Sequence, residues 1–284
     1  HHMAVRTWTD NISNFWNESY PCLKDREAMC SLFLGLVHQF KSDPSNCVAL
    51  LSTGEGVEMV SLLVSQYRTN RNLFPTPTMN PNAATELLKF LDLDATKPNG
   101  LIAELETAKT YKGVLEACGA SLAPHMSQGI YKCSRVKMPA APSRQKFRQA
   151  TIEDRDTVAR WALEFHEEAV PHDPPIDGLE FAKSKIDAGA VYLSLADDKP
   201  VSMAARSRDI GSSCSVNMVY TPKSKRGRGH GSFVTAKLTQ LLLDEGKRET
   251  NLYTDWSNST SNKIYQNIGY EFVGRSIHYQ IDWA

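Results

Sequence analysis

The stretch Val216-Asn-Met-Val-Tyr-Thr-Pro-Lys-Ser-Lys-Arg-Gly-Arg-Gly-His-Gly231 constrains this chain more than any other. An apolar strand-like run stops at Pro222, and a basic, glycine-rich turn follows. A helix then opens with Val234, Leu238, Leu241 and Leu242 on one face. Gly227, Gly229 and Gly231 allow tight turning and close approach of a ligand to the backbone. The unbonded N–H groups and dipole of a first helical turn favour an anion, and Arg226 and Arg228 add charge. A phosphate site is one reading; a solvated basic loop or a nucleic-acid patch is the other.

Spacing separates the phosphate-binding patterns. There is no GxxxxGK[ST], which excludes a P-loop, and GxGxG lacks the GxGxxG spacing of a dinucleotide fold. What remains is Arg-x-x-Gly-x-Gly on Arg226, Gly229 and Gly231. Beyond a second strand at 252–255 lies another pattern, built from Asn258, Ser261, Ile264, Tyr265, Gly269 and Tyr270. Together these resemble the GNAT superfamily of acyl-CoA N-acyltransferases, from about Lys146 to Trp283. Its pyrophosphate loop reads (Gln or Arg)-x-x-Gly-x-(Gly or Ala). Its second signature reads Asn-x-x-(Ala or Ser)-x-x-aliphatic-Tyr-x-x-x-Gly-aromatic.

The resemblance implies acetyl-CoA as co-substrate and transfer of its acetyl group to an amine, by direct attack in a ternary complex. It places the pyrophosphate on the loop from Arg226 and Gly227 through Arg228, Gly229, His230 and Gly231 to Ser232. It pairs the pantetheine arm with the backbone of Met218, Val219 and Tyr220, and has Asn258 and Asn262 hold that arm. Tyr265 matches the proton donor to the departing thiolate, which a phenol of pKa near ~10 can serve at neutral pH. The base is left open among Glu167, Glu168, Asp209 and Asp255. A CoA-binding sensor or scaffold without turnover is the alternative.

A chain of 284 residues has room for two domains. The segment 137–143, broken twice by proline, reads as a linker, which divides the chain into 3–140 and 145–284. In the first part we expect a helix at 25–40, a hairpin of 47–51 with 57–64, a loop at 74–82 and a helix at 83–91. A strand at 101–105, a helix at 108–118 and a strand at 127–136 follow. This order loosely parallels the second part, so the first part reads as a degenerate GNAT-like domain. Its 74–82 loop holds no glycine, and its three prolines have no N–H to donate, which argues against CoA there.

The expected fold class is mixed α/β, with a mostly antiparallel sheet in the second part. There a strand at 146–150 leads into a helix whose start, Thr151 to Asp154, has capping-box spacing. Strands at 191–196, 201–206 and 214–220 precede a helix at 229–245, and a helix at 259–268 precedes strands reaching Trp283.

Lys and Arg balance Asp and Glu at 32 each, so no overall field favours nucleic acid or an anionic membrane. No apolar run is long enough to span a bilayer. The six scattered cysteines suit a reducing cytoplasm. His166, His172 and Asp173 fit no metal-ligand spacing, so no metal is expected, and His1 and His2 read as tag residues. The expected partner is a small-molecule or peptide amine.

Overall fold

The computed structural model describes residues 4–140, 144–171 and 173–284, which leaves His1, His2, His172 and part of the expected linker outside it. From the N-terminus, β1 (Val5–Thr7) leads into α1 (Ile12–Leu23) and α2 (Ser31–Phe40). Strands β2 (Cys47–Thr53), β3 (Val60–Tyr67) and β4 (Asn70–Pro75) form a meander. Helix α3 (Pro81–Leu91), the single turn α4 (Leu93–Thr96), β5 (Gly100–Glu104), α5 (Leu105–Ala117) and β6 (Ala120–Cys133) follow. Strand β7 (Gln145–Gln149) precedes α6 (Arg155–Ala169) and α7 (Gly178–Asp187). Next are β8 (Val191–Ala196), β9 (Lys199–Ser207), β10 (Ser213–Tyr220) and α8 (His230–Asp244). The last elements are β11 (Glu249–Asp255), α9 (Ser259–Asn267) and β12 (Glu271–Trp283).

The chain forms two compact units that are not contiguous in sequence. One comprises the residues up to Tyr131 with Tyr253–Asn262 and Phe272–Ala284; the other comprises Lys132–Leu252 and Lys263–Glu271. A division at a linker near residue 142 therefore differs from the division by contact. The last strand shows why: β12 pairs antiparallel with β5, from Ser276↔Glu104 to Gln280↔Gly100. Its alternate residues Ile277, Tyr279 and Ile281 are buried among Leu73, Leu87, Leu101 and Tyr111.

The first unit orders its strands β1-β2-β3-β4-β5-β12-β6. Strands β4 and β5 pair in parallel at Asn72↔Gly100 and Leu73↔Leu101. The expected helix at 25–40 is shorter, because a 3-10 turn at Lys24–Arg26 precedes α2. Helix α1 was not expected. Its buried face includes Ser19 beside Ile12, Phe15 and Leu23, and Pro21 lies inside it, so its apolar period is weak. The sequence leads one to expect no strand at 70–75, since Asn70-Arg-Asn shows no apolar alternation, and only Phe74 and Pro75 of β4 fall in the expected loop at 74–82.

The second unit orders its strands β11-β10-β9-β8-β7, with only β10 and β11 parallel. The period of two in β8 sorts its two faces. Val191, Leu193 and Leu195 pack with Trp161 and Ala182 of α6 and α7, while Tyr192 packs with Val234, Leu238 and Leu242 of α8. This is the mixed, mostly antiparallel sheet flanked by helices that the sequence leads one to expect. Helix α7 was missed: its buried residues Gly178, Ala182 and Ile186 are mostly small, although Asp177 caps it by accepting from the Glu180 amide at 3.1 Å.

The capping box before α6 is formed: the Thr151 amide donates to Asp154 at 2.8 Å. Arg148 clamps the same carboxylate at 2.6 and 3.0 Å, and this pairing holds Asp154 below the usual carboxylate range. A depressed carboxyl stabilises the fold above its unfolded pKa and loses that contribution as pH falls through the folded value. Asp154→Ala should cost about 1–2 kcal/mol in urea unfolding at pH 7. The gap should close as pH drops below 4; an unchanged gap at acid pH would remove the linkage.

Among the described residues no helix is long and apolar enough to cross a membrane.

Candidate active site

Strand β10 sets the geometry of the site. Its parallel pairing with β11 runs from Ser213↔Glu249 to Ser215↔Asn251, yet β10 continues to Tyr220. On its other side, Asn217 faces Ala205 and Tyr220 faces Met203, three steps on β10 against two on β9. The extra residue is a β-bulge, and Met218 takes it up with φ of +51°, where side chains other than glycine rarely sit. The bulge takes backbone groups at Met218 and Val219 out of the regular ladder, on a stretch already past its last β11 partner. An extended ligand could pair along such an edge.

After Pro222, a 3-10 turn at Lys223–Lys225 carries the chain to the glycines. Gly227 and Gly229 both have φ of +80°, and Gly229 is the residue before α8. The first amide to close onto the helix is that of Phe233, onto the Gly229 carbonyl at 3.0 Å. The amides of His230, Gly231 and Ser232 precede that bond and point out of the helix N-terminus, where an anion is favoured. A Cβ on Gly231 would meet only Thr221 Oγ1 at 3.4 Å, so its lack of a side chain leaves space at the helix mouth.

His230 turns inward. Its ring is buried, Nδ1 lies 3.0 Å from Gln145 Nε2, and burial, with Arg228 and Lys225 nearby, lowers its pKa. Only its amide is placed for a ligand. Arg226 Nε donates to the Thr221 carbonyl at 2.8 Å, and its outer nitrogen holds both oxygens of Glu168 at 2.8 and 3.0 Å. The guanidinium lies 5.6 Å from the Tyr220 ring centroid.

Glu168 is thus paired. Asp209 is engaged by Lys247 at 2.5 Å, by Arg206 at 3.2 Å and by the Gly211 amide at 3.0 Å. Burial pushes its carboxyl up, but these donors outweigh it and leave the pKa below the ordinary value, which makes a poor base. Asp255 closes a turn, accepting from the Ser257 amide and hydroxyl at 2.9 and 2.7 Å. Glu167 is exposed on the last turn of α6. The sequence reading passed over Glu164, which accepts a 2.5 Å hydrogen bond from Tyr220. Its spacing of four from Glu168 puts both acids on one helical face, a signal that was available.

Tyr265 lies on α9 with its ring centroid 6.3 Å from that of Tyr270. Tyr270 is hydrogen-bonded to Thr239 of α8 and Thr250 of β11 at 2.7 and 2.9 Å, so the ring beside Tyr265 is held from two elements. Burial pushes the Tyr265 phenol up to about 12. Asn258 caps α9, accepting from the Ser261 amide at 3.1 Å. The Asn262 side chain accepts from Thr254 at 2.5 Å and donates to the Asn258 carbonyl at 2.6 Å. Both asparagines therefore have local roles within the turn of the first unit.

The corresponding loop of the first unit, between β4 and α3, is built differently. The Thr78 amide goes to Thr107 at 3.0 Å, that of Asn80 to Thr78 at 3.1 Å, and that of Asn82 to Asn80 at 3.0 Å. Pro77 and Pro81 have no N–H to offer.

Residues 194–278 match the family model described as FR47-like protein. A Drosophila protein of known structure superposes with a TM-score of 0.68 at 12% identity, over 98% of this chain and 99% of its own. A GCN5-related N-acetyltransferase from Sphaerobacter thermophilus gives 0.63 at 14% identity, over 99% and 95%. A tandem GNAT protein from the clavulanic acid biosynthesis pathway gives 0.62 at 11% identity, over 99% and 98%. A search of curated proteins found no match. At such identities the superpositions establish fold alone, and the family match speaks for the segment that holds the loop and Tyr265. Residues 194–278 match the FR47-like family model, and the chain as a whole has the fold of tandem GNAT proteins.

Proposed function

We propose that this protein is an acetyl-CoA-dependent N-acetyltransferase whose cofactor binds to the second unit. The observation that carries the reading is the run from the Met218 bulge through the two left-handed glycines to the open amides of His230, Gly231 and Ser232. A thioester laid along β10 would place its carbonyl against the amides of Met218 and Val219, which suit a developing oxyanion. A cationic acceptor first gives up one proton, and the neutral amine adds to the carbonyl carbon. Collapse of the adduct breaks the C–S bond and forms the amide, with loss of the second proton from nitrogen.

The departing thiolate takes a proton from Tyr265, which regains one from solvent. With its phenol held near pKa 12, Tyr265 is protonated throughout the neutral range and needs no activation. The first unit, whose 74–82 loop uses its amides internally, would serve as a noncatalytic companion. Six free cysteines suit a reducing compartment, and we place the protein in the cytoplasm. The test is calorimetric titration with acetyl-CoA: micromolar binding supports the reading, and none would overturn it. An amine panel should then yield turnover; binding without turnover would favour a sensor.

A further inference from the structure

The arginine expected to meet the pyrophosphate already has a partner. Arg226 presents one outer nitrogen to both oxygens of Glu168 at 2.8 and 3.0 Å, and Lys223 adds its ammonium at 3.9 Å. Glu168 stands on the last turn of α6, fifty-eight positions away in sequence, so this is a tertiary contact between α6 and the glycine loop. A carboxylate with two oxygens on a guanidinium imitates what a phosphate would offer the same group. Arg226 also lies against the Tyr220 ring, and Tyr220 donates to Glu164, one turn before Glu168. The loop cation, the end of β10 and one face of α6 are thus joined through four side chains.

We propose that Glu168 is an internal competitor for the cofactor: it holds Arg226 while the loop is empty and yields it to the pyrophosphate. Cofactor binding then frees the carboxylate at the end of α6, leaving an anion exposed next to the Glu164–Tyr220 pair after CoA is seated. The freed carboxylate suits an acceptor that carries positive charge. This rests on the cofactor reading above.

The experiment is calorimetric titration of CoA into the full chain as wild type, Glu168→Gln, Glu167→Gln and Arg226→Met, and into the double variant Arg226→Met with Glu168→Gln. Exposed pairs of this kind are worth up to about 1 kcal/mol, so Glu168→Gln should bind CoA roughly fivefold tighter than wild type. Glu167→Gln removes the same charge one residue away and should change affinity by less than about twofold. The gain from Glu168→Gln should vanish in the Arg226→Met background. Equal gains from both glutamine variants would reduce the effect to general charge and overturn the exchange. So would an unchanged affinity in Glu168→Gln when wild type binds. Failure of every variant to bind CoA would overturn the cofactor reading and the exchange together.

Discussion

Gly231→Glu should weaken acetyl-CoA binding by roughly a hundredfold or more while leaving the thermal midpoint at or above that of the wild type. Gly231 has no left-handed conformation to preserve, and the space its Cβ would enter is bounded only by Thr221 Oγ1 at 3.4 Å. As the second residue of α8, an acid there also complements the helix dipole and improves helix propensity over glycine. Folding therefore gives no reason for the variant to fail. Binding does, because the new carboxylate would lie on the amides assigned to the pyrophosphate. Loss of two charge-assisted hydrogen bonds amounts to about 3 kcal/mol or more, roughly a hundredfold in affinity. Substitution at Gly229 is less informative, since its φ of +80° adds backbone strain unrelated to any ligand. Calorimetry paired with a melting curve checks the Gly231 variant. Wild-type affinity in a folded variant would remove the helix mouth from the site.

The same loop shows what was legible in the sequence and what was not. The order of strand, glycine turn and helix is a local matter of residue type, and it appears where the spacing of Arg226, Gly229 and Gly231 puts it. The bulge at Met218 is not a local matter. Methionine has no preference for positive φ, and the extra residue exists only relative to the register of β9. The pairing of Arg226 with Glu168 is likewise tertiary, joining segments that no short motif spans. The fate of β12 follows the same rule: alternation at Ile277, Tyr279 and Ile281 announces a strand with one buried face, but pairing with β5 is decided by β5's own unsatisfied edge. In the first unit, the prolines at 77 and 81 were readable as missing donors. The use of the remaining amides by Thr107, Thr78 and Asn80 was visible only in three dimensions.

Tyr265→Phe should lower kcat by roughly a hundredfold to ten-thousandfold, the range for loss of a general acid, and change acetyl-CoA affinity by less than about twofold. The substitution removes one oxygen and keeps the ring that lies 6.3 Å from Tyr270, so the packing held by Thr239 and Thr250 persists. An effect confined to kcat would therefore report on proton transfer to the thiolate, whereas a purely structural tyrosine would show its loss in the melting curve. The pH dependence makes a second demand. Burial raises the phenol from its ordinary value of 10.0 to about 12, so its donor form is retained as pH climbs through 7, 8 and 9. A general acid is lost only when it ionises, and Tyr265 should impose no alkaline fall in wild-type rate below about pH 11. Any rise in rate from pH 6 to 9 then belongs to deprotonation of the acceptor amine, and it should persist in the Phe variant with the same midpoint. The measurement is kcat against pH for both proteins on an amine identified by the panel. An unaltered kcat in Tyr265→Phe would transfer the donor role to solvent or another residue.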